Sequence, residues 1–243
     1  MPASPLPPPL TLASAHGHEG YSPPRRRSPP GAVLLDALGT LVTFADPVPR
    51  LRAGLRERLG VEIGIPGARR AMRAEIAFYR AHHDEAGDRA GLAGLRTRCG
   101  ALVARELGLA GVDDEVTEVL VAAIAFSAYP EVGEVLAALR ARGARLAVVS
   151  NWDVSLHDVL ARLALRPLLD AVLTSAEEGV AKPDPELFHR ALARLGARPG
   201  EAVHVGDSPA LDLAGARAAG VEGVLVDRSG RTRGAITSLR ALL

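Results

Sequence analysis

The stretch AVLLDALGTLV, Ala32 to Val42, decides the fold. Four apolar residues, Ala32, Val33, Leu34 and Leu35, run into a carboxylate, Asp36. Gly39-Thr40 then gives a turn signal before the apolar run resumes. An apolar run this short, bounded by turn residues, reads as a strand buried on both faces of a parallel sheet. Ligands of open α/β sheets gather at the carboxyl ends of the strands. Asp36 stands at such an end, as a nucleophile, a metal ligand or both. The plain alternative is a solvated aspartate that opens a turn.

Working outward, composition sets the bounds. A chain of 243 residues suits one substantial core or a core with a smaller companion. Hydrophobic residues make up 48% but aromatics only 3%, so the core is built from Leu, Val and Ala. The one cysteine, Cys99, excludes an internal disulfide and suits a reducing, cytoplasmic setting. No apolar run approaches the roughly 18–20 residues of a membrane span. Of the net charge of +1, residues 1–30 hold +2 (Arg25, Arg26 and Arg27 against Glu19) and the remainder −1, so no electrostatic argument favours nucleic acid. Lys182 is the only lysine in a chain otherwise rich in arginine, and Asn151 is the only asparagine.

Residues 1–30 carry nine of the 18 prolines and no aliphatic pattern, which predicts a disordered Pro/Arg-rich tail without the apolar segment of a signal peptide. Residues 31–46 and 127–243 are expected to form an α/β core. Between them, 47–126 repeats apolar residues at helical spacing (Leu51, Leu55, Leu59; Met72, Ile76, Tyr79), punctuated by glycines into four helices. His82 and His83 lie in this span and, as neighbours, point to different sides of a helix; solvated or substrate-facing roles suit them better than ligation. From Pro130 onward strands alternate with helices: strands at 145–150, 171–174, 202–205 and 223–226, helices at 131–142, 155–163, 185–195 and 211–219. Asp184 with Pro185 reads as an N-cap followed by a first-turn proline. Such alternation implies right-handed crossovers and a parallel sheet. The expected fold is a Rossmann-like parallel sheet with helices on both faces, interrupted after its first strand by an all-α helical bundle.

Polar groups follow four of these segments: Asp36 with Gly39-Thr40; Ser150-Asn151; Lys182; and Gly206-Asp207-Ser208 with Asp212. In a parallel sheet they gather at one edge. Singly, each has a plain reading as turn, loop or helix cap. Together, three carboxylates, one cation and a hydroxyl–amide pair suit an anion held against a hard metal ion.

The order DxxGT, SN, KP and GDSxxxD resembles the haloacid dehalogenase superfamily, over Ala32 to about Asp227. The helical insertion is similar to the cap of one of its subclasses. The resemblance implies that Asp36 is a nucleophile forming an aspartyl-phosphate. It implies that Gly39, Thr40, Ser150 and Asn151, with Lys182, hold the transferring phosphate of a small phosphorylated substrate, an ester or an anhydride. It also implies Mg²⁺ held by Asp36, Asp207 and the backbone carbonyl of Leu38, supported by Asp212. Arg50, Arg52, Tyr79, Arg80, His82 and His83 of the insertion are the candidates for selecting the substrate. Phosphatases of the superfamily carry a second aspartate two residues after the nucleophile as general acid/base; here that position is Leu38. Three readings follow: a Mg²⁺-dependent phosphatase for leaving groups that need little protonation, a metal-independent carbon–halogen hydrolase, and a non-catalytic phosphate-binding or regulatory protein.

Overall fold

The computed structural model describes residues 30–243, so the tail expected at 1–30 lies, but for its last residue, outside the described residues. Five parallel strands form the main sheet: β1 (Ala32–Leu35), β4 (Arg145–Ser150), β5 (Ala171–Thr174), β6 (Ala202–Gly206) and β7 (Glu222–Leu225). Their order is β5-β4-β1-β6-β7, which puts β1 in the centre. Both neighbours hold it in register, with Leu34 opposite Ala147 on one side and His204 on the other.

The pleat explains the continuous apolar runs. Val33, Leu35, Leu146, Val148, Val203 and Val205 face one way, onto α5 (Val132–Ala141) and α6 (Leu156–Arg162). Ala32, Leu34, Ala147, Val149 and Leu173 face the other, onto α8 (Pro185–Leu195) and α9 (Ala214–Ala218). The strand interiors are therefore mainly apolar on both faces, and full burial of one Leu or Val contributes about 1.5–3 kcal/mol. The cap read at Asp184 is present: its side chain accepts from the Glu186 amide, and Pro185 follows.

Two short strands, β2 (Val42–Phe44) and β3 (Phe126–Ala128), pair as a separate two-stranded sheet. Runs of three residues show too little alternation to be seen in the sequence. The helix expected at 211–219 begins instead as a π-helical turn, Pro209–Leu213, and only then becomes α9.

By compactness, the described residues fall into two units, one of 44–80 with 96–125, the other of 30–43 with 81–95 and 126–243. The first is all helical, with α1 (Val48–Leu59), most of α2 (Ile65–His82), the second half of α3 (Arg89–Leu107) and α4 (Asp113–Ala123). Two glycines let α4 approach closely. A Cβ on Gly54 would come within 2.8 Å of Val119, and one on Gly100 within 2.7 Å of the Thr117 backbone. Residues 81–95, although flanked by helices of the first unit, group with the sheet. Ala86 carbonyl accepts from the Val154 amide at 3.0 Å, and Arg89 makes a two-pronged ion pair with Asp158. Within this segment His83 is partly buried, its Nε2 lying 3.2 Å from Asp84 and 3.4 Å from Ser175 Oγ. No helix among the described residues is long and apolar enough to cross a membrane.

Candidate active site

The carboxyl edge of β1 carries Asp36, whose amide still donates to Val205 carbonyl at 2.9 Å and so keeps the residue on the sheet ladder. The next turn closes on itself, with the Leu41 and Val42 amides on Ala37 carbonyl at 2.8 and 2.9 Å. Gly39 takes a left-handed backbone (φ 84°), and a Cβ there would lie 2.1 Å from Asp207 Oδ2. Glycine is thus required twice over, by conformation and by the approach of Asp207. Thr40 is fully buried, and its hydroxyl has no partner among the described residues.

Lys182 joins the carboxylates. Its ammonium lies 2.6 Å from Asp36 Oδ1 and 2.7 Å from Asp212 Oδ1, with only 4% of the residue exposed. Ser150, at the end of β4, donates to the same Asp36 oxygen at 3.1 Å. Asp36 Oδ1 therefore has two donors, and Oδ2 has none among the described residues. Asn151 acts on the loop: its Nδ2 donates to Lys182 carbonyl at 2.9 Å and its Oδ1 accepts from Lys182 amide at 2.7 Å. Both ends of that amide are engaged in fixing the lysine's backbone. A buried lysine needs such a frame, because its side chain must be aimed between two carboxylates without help from solvent.

Asp207 follows β6, and Asp212 sits on the π-helical turn. That turn, with Asp212 amide on Ser208 carbonyl at 2.8 Å, sends the Asp212 side chain back over the strand. There it lies where a Cβ on Gly206 would be, and it accepts from Ser208 amide at 2.9 Å. π-Helical turns are uncommon and concentrate at functional sites. One carboxylate oxygen from each of Asp36, Asp207 and Asp212 fits within a group no more than 4.8 Å across.

The charges are strongly interdependent. Burial raises the Asp36 pKa, Lys182 opposes the rise and Asp212 adds to it. Burial, followed by repulsion from Asp36 and Asp212, pushes Asp207 up to about 7. Burial would raise Asp212 too, but Lys182 and His204 outweigh it and hold that carboxyl well below the usual range. Burial would lower Lys182, but Asp212 and Asp36 keep its ammonium more firmly protonated than usual. Three carboxylates against one lysine leave an excess of negative charge. A divalent cation offsets such an excess, and all-oxygen carboxylate donors suit Mg²⁺. The residues fit that ion. Asp36 and Asp207 are the better ligands, since Asp212 already accepts donors at both oxygens.

Leu38 is partly buried and packs against the apolar cluster that contains Trp152 and Leu41. The position carries no proton to give. Three further residues were not singled out in the sequence. His204 donates to Asp212 from inside β6. Arg228, stacked 3.9 Å over the Tyr129 ring, donates to Thr40 carbonyl and pairs with Glu131. Glu131 is correspondingly acidic, at about 2: burial would raise it, but hydrogen bonds from Arg228 and from backbone amides prevail. The only sequence signal was a histidine in an apolar strand.

Comparisons with known proteins agree with this geometry. A family model described as a haloacid dehalogenase-like hydrolase matches residues 30–220. The mouse "Haloacid dehalogenase-like hydrolase domain-containing protein 3" is 49% identical over 87 residues, 36% of this chain and 35% of that protein. A "Phosphoserine phosphatase" of Thermus thermophilus is 46% identical over 101 residues, 41% of each chain. These matches thus span well under half the length of the curated relatives. Among solved structures, a "HAD phosphatase" from Thermococcus onnurineus superposes with a TM-score of 0.59 at 26% identity, covering 87% of this chain and 95% of the other. A "2-Haloacid Dehalogenase" from Pseudomonas syringae does so with a TM-score of 0.62 at 25% identity and the same coverage.

Proposed function

We propose that this chain, which belongs to the haloacid dehalogenase-like hydrolases, is a Mg²⁺-dependent phosphatase of small phosphorylated metabolites, selective for leaving groups that depart without a proton. The observation that carries this reading is the carboxylate cluster of Asp36, Asp207 and Asp212 around a single buried lysine. Such a cluster is destabilised by its own charge unless a cation sits in it, and a carbon–halogen hydrolase working without metal has no use for it. Phosphatase-named relatives support the same choice.

In this reading the unpaired Oδ2 of Asp36 attacks phosphorus. The P–O bond to the leaving group breaks, and an aspartyl-phosphate remains until water displaces phosphate. Lys182 and Ser150 fix the nucleophile through Oδ1, and Lys182 offsets anionic charge as it develops. Asn151 sets Lys182 by holding its backbone. Mg²⁺, held by Asp36, Asp207 and Leu38 carbonyl, would neutralise phosphate charge. Leu38 supplies no proton to the departing oxygen. The helical unit serves as the cap that selects the substrate.

A second reading draws on Leu38 itself. Halide leaves without a proton, so an aliphatic residue here also suits carbon–halogen hydrolysis, and a dehalogenase shares the fold. A panel of aryl, acyl and alkyl phosphates and 2-halo acids, assayed with Mg²⁺ and with chelator, separates the readings. Hydrolysis of phosphates that stops with chelator, and in Asp36→Asn, supports the phosphatase. Chelator-insensitive halide release supports the alternative. A neutral amide is a far poorer nucleophile, so Asp36→Asn should retain less than about 1% of turnover.

A further inference from the structure

His204 has no assigned part in this site, and its surroundings are hard to explain as core filling. It lies in the middle of β6, fully buried, with the Phe188 ring edge-on at 4.9 Å. Its Nε2 is 2.9 Å from Asp212 Oδ1, the oxygen that also receives Lys182. Its Nδ1 has no hydrogen-bond partner among the described residues. A buried unpartnered ring nitrogen loses its hydration with nothing in return, a cost that a leucine at this place would avoid. Native structures hold few such atoms, and those present call for a reason.

We propose that His204 is a positioning residue that sets Lys182 through Asp212, so that one continuous chain of hydrogen bonds runs from the core of the sheet to the nucleophile. Asp212 accepts only donors: Lys182 Nζ, His204 Nε2 and Ser208 amide. Its carboxylate form requires the imidazole proton on Nε2. Two of the three donors come from fixed frames, a strand side chain and a backbone amide, and they fix the plane of the carboxylate. The third, the Lys182 ammonium, is a flexible group shared between Asp212 and Asp36. With the Asp212 carboxylate immobile, Lys182 has one place to sit, 2.6 Å from Asp36 Oδ1. Without His204 the carboxylate can turn about its own bond, and the lysine loses its fixed reference. Such supporting partners are typically worth 10–100-fold in metal affinity or activity. The catalytic part of this inference rests on the phosphatase reading; the structural part does not.

Lys182 is the only lysine, so ¹⁵N-lysine labelling places one side-chain ammonium signal in the spectrum. In the wild-type protein that signal should be protected from solvent exchange. His204→Leu removes the donor, and His204→Asn, too short to reach Asp212, does the same while staying polar. His204→Gln keeps a donor at nearly the position of Nε2. The expected result is loss of ammonium protection in the Leu and Asn variants and its return in the Gln variant. In parallel, kcat should fall about 10–100-fold with little change in KM, and Mg²⁺ affinity should fall by a similar factor, both restored by Gln. An unchanged Lys182 signal in His204→Leu or His204→Asn overturns the proposal. So does a Gln variant as impaired as the other two. The ammonium signal needs neither metal nor substrate, so it decides this assignment even if no phosphate ester is ever cleaved.

Discussion

A single lysine balances three carboxylates here, and that imbalance governs what substitutions do. Lys182 is 4% exposed between Asp36 and Asp212. Removing one partner of a buried ion pair leaves the other charge uncompensated, at a cost of about 3–5 kcal/mol. Lys182→Ala should therefore lower the unfolding free energy by that order in denaturant titration as well as turnover, whereas Ser150→Ala, losing a single hydrogen bond, should cost about 1 kcal/mol. Leu38 is the opposite case, a site missing a group. A positioned acid is worth about 10²–10⁴ in rate where a proton must be delivered. Leu38→Asp should raise turnover of alkyl phosphates by up to about 10²-fold and leave aryl phosphates nearly unchanged. Equal slowness on both classes would place the defect elsewhere.

At the scale of elements, the helical unit buries a charge of its own. Glu75, in α2, is 6% exposed, and burial pushes its pKa up to about 7 against a weak opposing bond from Cys99. The folded form then holds its proton more tightly than the unfolded chain. Its contribution is therefore unfavourable above the unfolded value near 4.5, growing as pH rises to 7 and reaching about 3 kcal/mol there. Glu75→Gln should raise Tm at pH 8 and leave it unchanged at pH 4.5; equal melting at both pH values would mean that the carboxyl is hydrated. Elements also mark how far the sequence could be read. The parallel strands were legible because burial on both faces makes them almost wholly apolar, as in Ala32–Leu35 and, but for His204, Ala202–Gly206. Asp36, Lys182, Asp207 and Asp212 were legible because they interrupt those runs or follow them. β2 and β3 were not, being three residues each. The tie between Glu131 and Arg228, 97 positions apart, leaves no periodic trace, and neither does the docking of residues 81–95 on Val154, Asp158 and Ser175.

For the whole molecule, the site couples folding to metal. Burial and two neighbouring carboxylates hold Asp207 up to about 7, so in metal-free protein the charged site lowers stability progressively as pH rises from about 4 to 7. A cation that binds only the folded state adds RT ln(1 + [L]/Kd), about 2.7 kcal/mol at a hundredfold excess over Kd. Mg²⁺ should therefore raise Tm at pH 7.5. Asp207→Asn should abolish that increment while melting higher than wild type when both are metal-free. A metal-free variant less stable than wild type would show that Asp207 is stabilising as a free carboxylate, contrary to this charge balance. The central claim is metal-assisted phosphoryl transfer from a site without a proton donor. Its most direct test is the rate of hydrolysis of phosphate monoesters graded by leaving-group pKa, in Mg²⁺ and in chelator. Turnover is expected only with Mg²⁺, with kcat/KM falling steeply as the leaving-group pKa rises; a flat series, or one indifferent to chelator, would contradict metal-assisted transfer without a proton donor.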